Sequence, residues 1–259
     1  MKAIILAGGL PSIVEDRFDP IPKPMAEIGG RPILWHIMKN YASQGIKDFI
    51  ICVGYKGDCI KNYFMNYYLY QSDITVDLGS NHIDIHRKKT EDWKVTIVDT
   101  GKDSSIAQRL LMIKEYIEDE DFLVTYGDCV SDINIDKMKR QHYEKGKIVT
   151  MAVATPTGRN KILPITQMGE MAENVSREHM IACTDACTMI FNGNIFPYLE
   201  KYWKDDVMSE DLMNELVHKG ELSVYLHDGF WAPMETARDK NSLEQMYLSK
   251  TAPWKIWEN

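Results

Sequence analysis

Chemistry-bearing residues gather in four short segments. Leu6-Ala7-Gly8-Gly9 ends an apolar run in two glycines. Such a turn lets the backbone approach a ligand and aims amide N–H groups at phosphates. It is neither a Walker A loop nor GxGxxG. In Pro20-Ile21-Pro22-Lys23-Pro24 the prolines stiffen the chain around a lysine, which suits a phosphate contact; a solvated lysine in a rigid loop is the plainer alternative. Tyr126-Gly127-Asp128, with Asp132 close behind, puts a carboxylate just past a strand, where Mg²⁺ is held by one or two carboxylates and phosphate oxygens. A turn aspartate or a helix cap by Asp132 would read the same way. Gly229–Thr236 carries Glu235 at a loop-to-helix boundary, as a second metal ligand or as an acid favoured by the helix dipole. Together these parts suit in-line attack on the α-phosphorus of a nucleoside triphosphate. The protein then positions two anions and neutralises charge, and the attacking phosphate needs no general base.

Hydrophobic spacing predicts the elements that must bring these segments together. Strands are expected at 2–6, 48–53, 94–99, 121–126, 149–154 and 223–226. Helices are expected at 33–44, 58–70, 104–117, 134–145 and 236–249. Alternating strands and helices, with the strands nearly all apolar, imply an α/β fold: a Rossmann-like, mostly parallel sheet with helices on both faces. Ligands bind at the carboxyl ends of such strands, so Gly8-Gly9, Gly54-Tyr55 and Gly127-Asp128 should share one rim. We expect a single domain over 1–259, with a nucleotide-binding part to about 155 and an acceptor-binding and oligomerisation part from about 156. The apolar tail Trp254-Lys255-Ile256-Trp257 should pack on something.

Composition narrows the function. A net charge of −8 argues against nucleic acid or an anionic membrane as partner. Five cysteines without a CxxC pair read as buried thiols of a cytoplasmic protein. No stretch reaches the ~20 apolar residues of a membrane span, and Met1–Gly9 lacks the pattern of a signal peptide.

The joint pattern of Met1–Leu10, Pro22–Gly30, Pro32–Met38, Gly45–Ile51, Gly54–Gly57, Val98–Gly101, Tyr126–Asp128, Gly229–Asp239 and Ala252–Glu258 resembles the sugar-phosphate nucleotidyltransferases, in their glucose-1-phosphate cytidylyltransferase branch. The Trp35-His36 helix start and the Ala252-Pro253-Trp254-Lys255 tail are specific to that branch. The resemblance implies a Mg²⁺-dependent reaction of CTP with a sugar 1-phosphate, giving a CDP-sugar and pyrophosphate, in a homo-oligomer. It places Leu6, Ala7, Gly8 and Gly9 on cytidine and phosphates, Lys23 on the α-phosphate, and Thr100 and Gly101 near base or ribose. Arg109 matches a nucleotide-site arginine, and Asp128 with Glu235 forms the metal pair. Tyr63–Tyr70 and the tail are candidates for contacts between subunits.

Several family positions differ. Pro11-Ser12-Ile13 stands where the family has Gly-x-Arg, and Arg17 is the candidate catalytic substitute. Ile21 replaces a lysine. Asn174, in Glu173-Asn174-Val175, replaces a second lysine, while Lys161 and Pro164 lie where a glycine and an aspartate are expected. Thr184-Asp185-Ala186 replaces paired glycines, and Glu235 an aspartate. Asp132, Lys161, Glu173, Asn174 and Asp185 are the acceptor-side candidates, and acids there would suit an amine- or amide-bearing phosphate as well as glucose 1-phosphate. The competing reading is a catalytically impaired homologue that binds nucleotide or a partner protein; a glycosyltransferase is a more distant one.

Overall fold

The computed structural model describes residues 1–9, 20–86, 90–117, 120–156, 162–166, 169–171, 180–204 and 210–258. The chain order is β1 (Lys2–Ala7), β2 (Glu27–Ile28), β3 (Arg31–Pro32), α1 (Ile33–Ser43), β4 (Asp48–Val53), α2 (Gly57–Met65), α3 (Tyr67–Tyr70), β5 (Asp73–Asp77), β6 (His82–His86), β7 (Lys94–Asp99) and α4 (Ile106–Met112). It continues with β8 (Phe122–Tyr126), β9 (Cys129–Ser131), α5 (Ile135–Lys145), β10 (Val149–Ala154), β11 (Leu163–Thr166), β12 (Met180–Phe191), α6 (Phe196–Lys201), α7 (Glu210–His218), β13 (Leu222–His227), β14 (Trp231–Pro233) and α8 (Ala237–Leu248).

The main sheet runs β13-β10-β12-β8-β1-β4-β7, with β11 paired to β12. Four of the six pairings along that path are parallel: β13/β10, β8/β1, β1/β4 and β4/β7. β12 runs antiparallel to both β10 and β8. The central strands are apolar on both faces because both faces are covered. Ala3, Ile5 and Ala7 of β1 face a layer that includes α1, α8 and the C-terminal tail. Ile4 faces the layer of α4, α6 and α7. Trp254 of the tail is fully buried and stacks at 5.6 Å on Phe230. Trp257 lies edge-on to Trp35 at 5.8 Å. The tail thus packs on the body of its own chain, as its apolar composition predicts, and Ile256 is left exposed.

Two predicted helices are shorter than their apolar spacing suggests. Residues 58–70 form two helices, broken at Asn66, whose φ of −104° and ψ of 6° depart from helix. Over 104–117, Ser105 caps α4 in a reciprocal capping box with Gln108; beyond Met112 only a 3₁₀ turn follows, Lys114–Tyr116. Residues 73–86, left unassigned by the sequence reading, form a hairpin with Ile74 opposite Ile85 and Val76 opposite Ile83. Its alternation is strand-like, but the ribbon lies outside the core and Ile74, Val76 and Ile83 stay exposed while Ile85 is half-buried.

Candidate active site

Three loops meet at the carboxyl ends of β1, β4 and β7. The ideal Cβ of an alanine at Gly54 would lie 2.7 Å from the Gly101 carbonyl oxygen and 2.8 Å from that of Gly8. A glycine is therefore required where the three backbones cross. Beside them, Gly127 N–H donates to Leu6 O at 3.0 Å, joining the β8 loop to the end of β1. The expected common rim is thus formed.

Arg109 of α4 holds this rim from inside. It is 5% exposed. Its Nη1 donates to Thr100 Oγ1 at 2.6 Å and Val53 O at 3.4 Å; its Nη2 donates to Gly8 O at 2.9 Å and Lys102 O at 3.4 Å. Burial lowers its pKa from the ordinary arginine value, and these oxygens are what stabilise the charge there. Arg109 borders the cleft, yet its terminal nitrogens serve protein oxygens. It thus braces the rim from a position on the cleft, where the resemblance places a nucleotide-site arginine. Thr100 is 1% exposed, and its hydroxyl donates to Val53 O at 2.9 Å. Gly101 turns with φ of +80°, its N–H bonded to Asp99 Oδ1 at 3.0 Å. The wall here is formed instead by the next residues, Lys102, Asp103 and Ser104. Only the polar, turn-prone composition of that stretch could have pointed to them.

The cleft has a volume of about 640 Å³. It is lined by Leu6, Ala7, Gly8 and Gly9 at the end of β1 and by Pro22, Lys23, Pro24, Tyr126 and Asp128. Lys23 opens a 3₁₀ turn, Lys23–Met25, fixed by Pro22 at its cap and Pro24 within it. Its Nζ lies 3.1 Å from Asp128 Oδ2, with both side chains about a quarter exposed. Sequence reasoning named both residues; the fold joins them across 105 positions.

Asp128 O accepts the Met234 N–H at 2.8 Å, and the next pair in the β9/β14 ladder is Cys129 opposite Pro233. Glu235 therefore follows directly on the strand beside Asp128, and its side chain is exposed. Two hard carboxylates at adjoining strand ends, beside a cleft open to phosphate oxygens, fit Mg²⁺. Among the described residues no group of three or more His, Cys, Asp or Glu is placed to hold a metal, so such an ion needs its remaining ligands from substrate and water.

The acceptor-side candidates fare differently. Asp132 Oδ1 accepts the Phe230 N–H at 2.7 Å and lies 3.0 Å from His227 Nε2. It fastens the loop between β13 and β14 and does not border the cleft. Asp185 Oδ1 accepts the Cys187 N–H at 2.8 Å, within a bulge where the β10/β12 register shifts. Cys187 there has φ of +59°, and the bulge lies beside the end of β8, since Thr188 pairs with Thr125. Burial pushes the Cys129 thiol above its ordinary pKa; Cys129 beside it, together with burial, pushes Cys187 well above its own. All five cysteines are free, as the sequence reading expects. Arg17, Lys161, Glu173, Asn174 and the Pro11-Ser12-Ile13 stretch lie outside the described residues.

A nucleotide-sized cleft at the carboxyl rim of a mixed, mostly parallel sheet, lined by two glycines and a lysine–carboxylate pair, defines a nucleotidyl-transfer class of site. The chain belongs to the nucleotidyl transferase family, whose profile matches residues 2–234. It is 43% identical to the glucose-1-phosphate cytidylyltransferase of Salmonella typhimurium, over the full length of both chains. It is 37% identical to the probable glucose-1-phosphate cytidylyltransferase of Bacillus subtilis, covering 99% of this chain and all of that one. Among solved structures it matches the fold of HddC from Yersinia pseudotuberculosis complexed with GMP-PN, with a TM-score of 0.69 at 18% identity over 95% of this chain and 99% of that one. A putative glucose-1-phosphate thymidylyltransferase from Bacillus anthracis matches with a TM-score of 0.73 at 15% identity, over all of this chain and 97% of that one.

Proposed function

We propose that the protein joins CMP from CTP to a phosphorylated small molecule, releasing pyrophosphate and a CDP-activated product. The observation that carries this reading is the cleft itself: Gly8 and Gly9 line it together with the Lys23–Asp128 pair, 3.1 Å apart, in a chain similar over its whole length to glucose-1-phosphate cytidylyltransferases. Those relatives make glucose 1-phosphate the first acceptor to test. The engagement of Asp185 with the Cys187 backbone weakens the case for an amine-bearing acceptor. A phosphate oxygen of the acceptor attacks the α-phosphorus, the new P–O bond forms, and the bond to the β-phosphate oxygen breaks opposite it. The amides of the Gly8-Gly9 turn orient the phosphates. Lys23, fixed between prolines, offsets the charge growing on the α-phosphate. Asp128 and Glu235 would hold Mg²⁺, which supplies charge neutralisation across the triphosphate. The assembled Lys23–Asp128 pair favours an active enzyme over an impaired homologue.

Pyrophosphate release with each nucleoside triphosphate, glucose 1-phosphate and titrated Mg²⁺ tests this. We expect CTP- and Mg²⁺-dependent release. Lys23→Ala and Asp128→Asn should each lower kcat by at least ~100-fold without lowering Tm, on the scale of losing one positioned charge in a preorganised site. Full activity in either variant refutes the assignment.

We also propose that the enzyme self-associates through the β5/β6 ribbon. An isolated two-stranded ribbon is marginal in water, and this one exposes Ile74, Val76, Leu78 and Ile83 beside exposed Met65, Tyr68 and Tyr70. A contiguous apolar surface of this kind marks an interface. A cytoplasmic location agrees with the free thiols; among the described residues no helix is long and apolar enough to cross a membrane.

A further inference from the structure

A nucleoside triphosphate brings about four negative charges at neutral pH, yet most cationic nitrogen on the described walls of the cleft is already engaged. The terminal nitrogens of Arg109 serve protein oxygens, and Lys23, beside Asp128, is assigned above to the α-phosphate, which leaves the β- and γ-phosphates to be neutralised. The remaining cation of that wall is Lys102. Its side chain is 70% exposed, and its recorded ionic contact is with its chain neighbour Asp103, at 3.9 Å, too long for a hydrogen bond.

The backbone of Lys102 is not loose. Arg109 Nη2 accepts no proton and donates to both Lys102 O and Gly8 O, so one nitrogen clamps the Lys102 loop to the glycine turn. The Lys102 Cα also lies 3.1 Å from where a Cβ on Gly54 would sit, so the strand-end crossing supports it from below. An exposed ammonium thus rises from a backbone fixed through Arg109 to Gly8 O.

We propose that Lys102 is a triphosphate-binding residue of this enzyme, supplying to the phosphates the positive charge that Arg109 cannot, with neighbouring Asp103 competing for its ammonium. The proposal rests on the nucleotidyl-transfer reading above. An ammonium on a four-carbon stem neutralises phosphate as a point charge and tolerates several phosphate positions, so it suits a ligand whose charge redistributes as pyrophosphate departs. Its contribution should be screened by salt, since the site is open.

The test is calorimetric titration of the full-length protein with CTP, CMP and cytidine, for wild type, Lys102→Gln and Asp103→Asn. Because Lys102 is exposed, Lys102→Gln should keep the wild-type Tm. It should weaken CTP binding about tenfold, the lower end for one charge-assisted bond, weaken CMP less, and leave cytidine unchanged. The gap between variant and wild type should shrink at high salt. Asp103→Asn should tighten CTP by a few-fold. Equal CTP affinity in wild type and Lys102→Gln overturns the proposal, and so does an equal loss for CTP and cytidine, which would put Lys102 on the base or ribose. Wild type that binds CTP normally while Lys102→Gln does too leaves the nucleotidyl-transfer reading standing; wild type that binds no nucleoside triphosphate overturns both.

Discussion

Gly8→Ala should be far more damaging than its single added methyl suggests. Gly8 lacks the positive φ that would itself forbid a side chain, so its backbone would accept alanine. The obstacle is Arg109: the new Cβ would lie 2.0 Å from Nη1 and 2.5 Å from Cζ. The far end of an arginine moves cheaply in an open site. Here the side chain is buried and holds Thr100 Oγ1 at 2.6 Å and Gly8 O at 2.9 Å. Withdrawing it forfeits both bonds. At ~1.5–3 kcal/mol for each hydrogen bond to a charged group, the cost is about 3–6 kcal/mol, a large share of the ~5–15 kcal/mol that holds a domain together. Urea unfolding of Gly8→Ala, Arg109→Ala and the double variant measures it. Both single variants should be strongly destabilised, and the double variant should be no worse than Arg109→Ala, because the clash has lost its partner. Additive costs, or a Gly8→Ala protein within about 1 kcal/mol of wild type, would refute the view that Arg109 is the clamp of the rim.

Acid should destabilise the fold through His36. Burial pushes its pKa down to about 4 from 6.5, so below 6.5 the unfolded chain takes up a proton that the native state refuses. Its contribution is complete above pH 6.5 and declines towards pH 4, by about 2 kcal/mol at pH 5. His142, lowered by burial as well, acts with the same sign. His36→Gln, which can still donate to Ile28 O, should flatten the fall in urea midpoint between pH 7 and pH 5; an unchanged fall rules His36 out as its source. Leu78→Asp places a charge at the most exposed apolar side chain of the ribbon, 88% exposed, and should convert an oligomer to smaller species in light scattering without changing Tm. A wild type already monomeric at micromolar concentration refutes the ribbon interface.

Much of this architecture is written in local pattern. The apolar runs of β1, β4, β8 and β10, each closing on a turn or loop, announce strands buried on both faces, and parallel sheets place their ligands at the strand ends. Gly8, Gly9, Lys23 and Asp128 could therefore be named from residue type and position alone. So could the burial of the tail, since Trp254 and Trp257 have too much apolar surface to leave in water.

Tertiary structure decided what is set by distance and competition rather than pattern. The family resemblance alone puts Arg109 in the nucleotide site; only the folded chain shows four oxygen partners engaging it as a brace of the rim. Thr100 and Asp132 are likewise each engaged by a partner far away in sequence. β12 is absent from the strands expected from spacing, and its antiparallel course between β10 and β8 follows from where the chain re-enters the sheet, which no local period encodes. The Lys23–Asp128 pair, too, is built from segments that say nothing of each other, because a salt bridge depends on where two strand ends arrive in space.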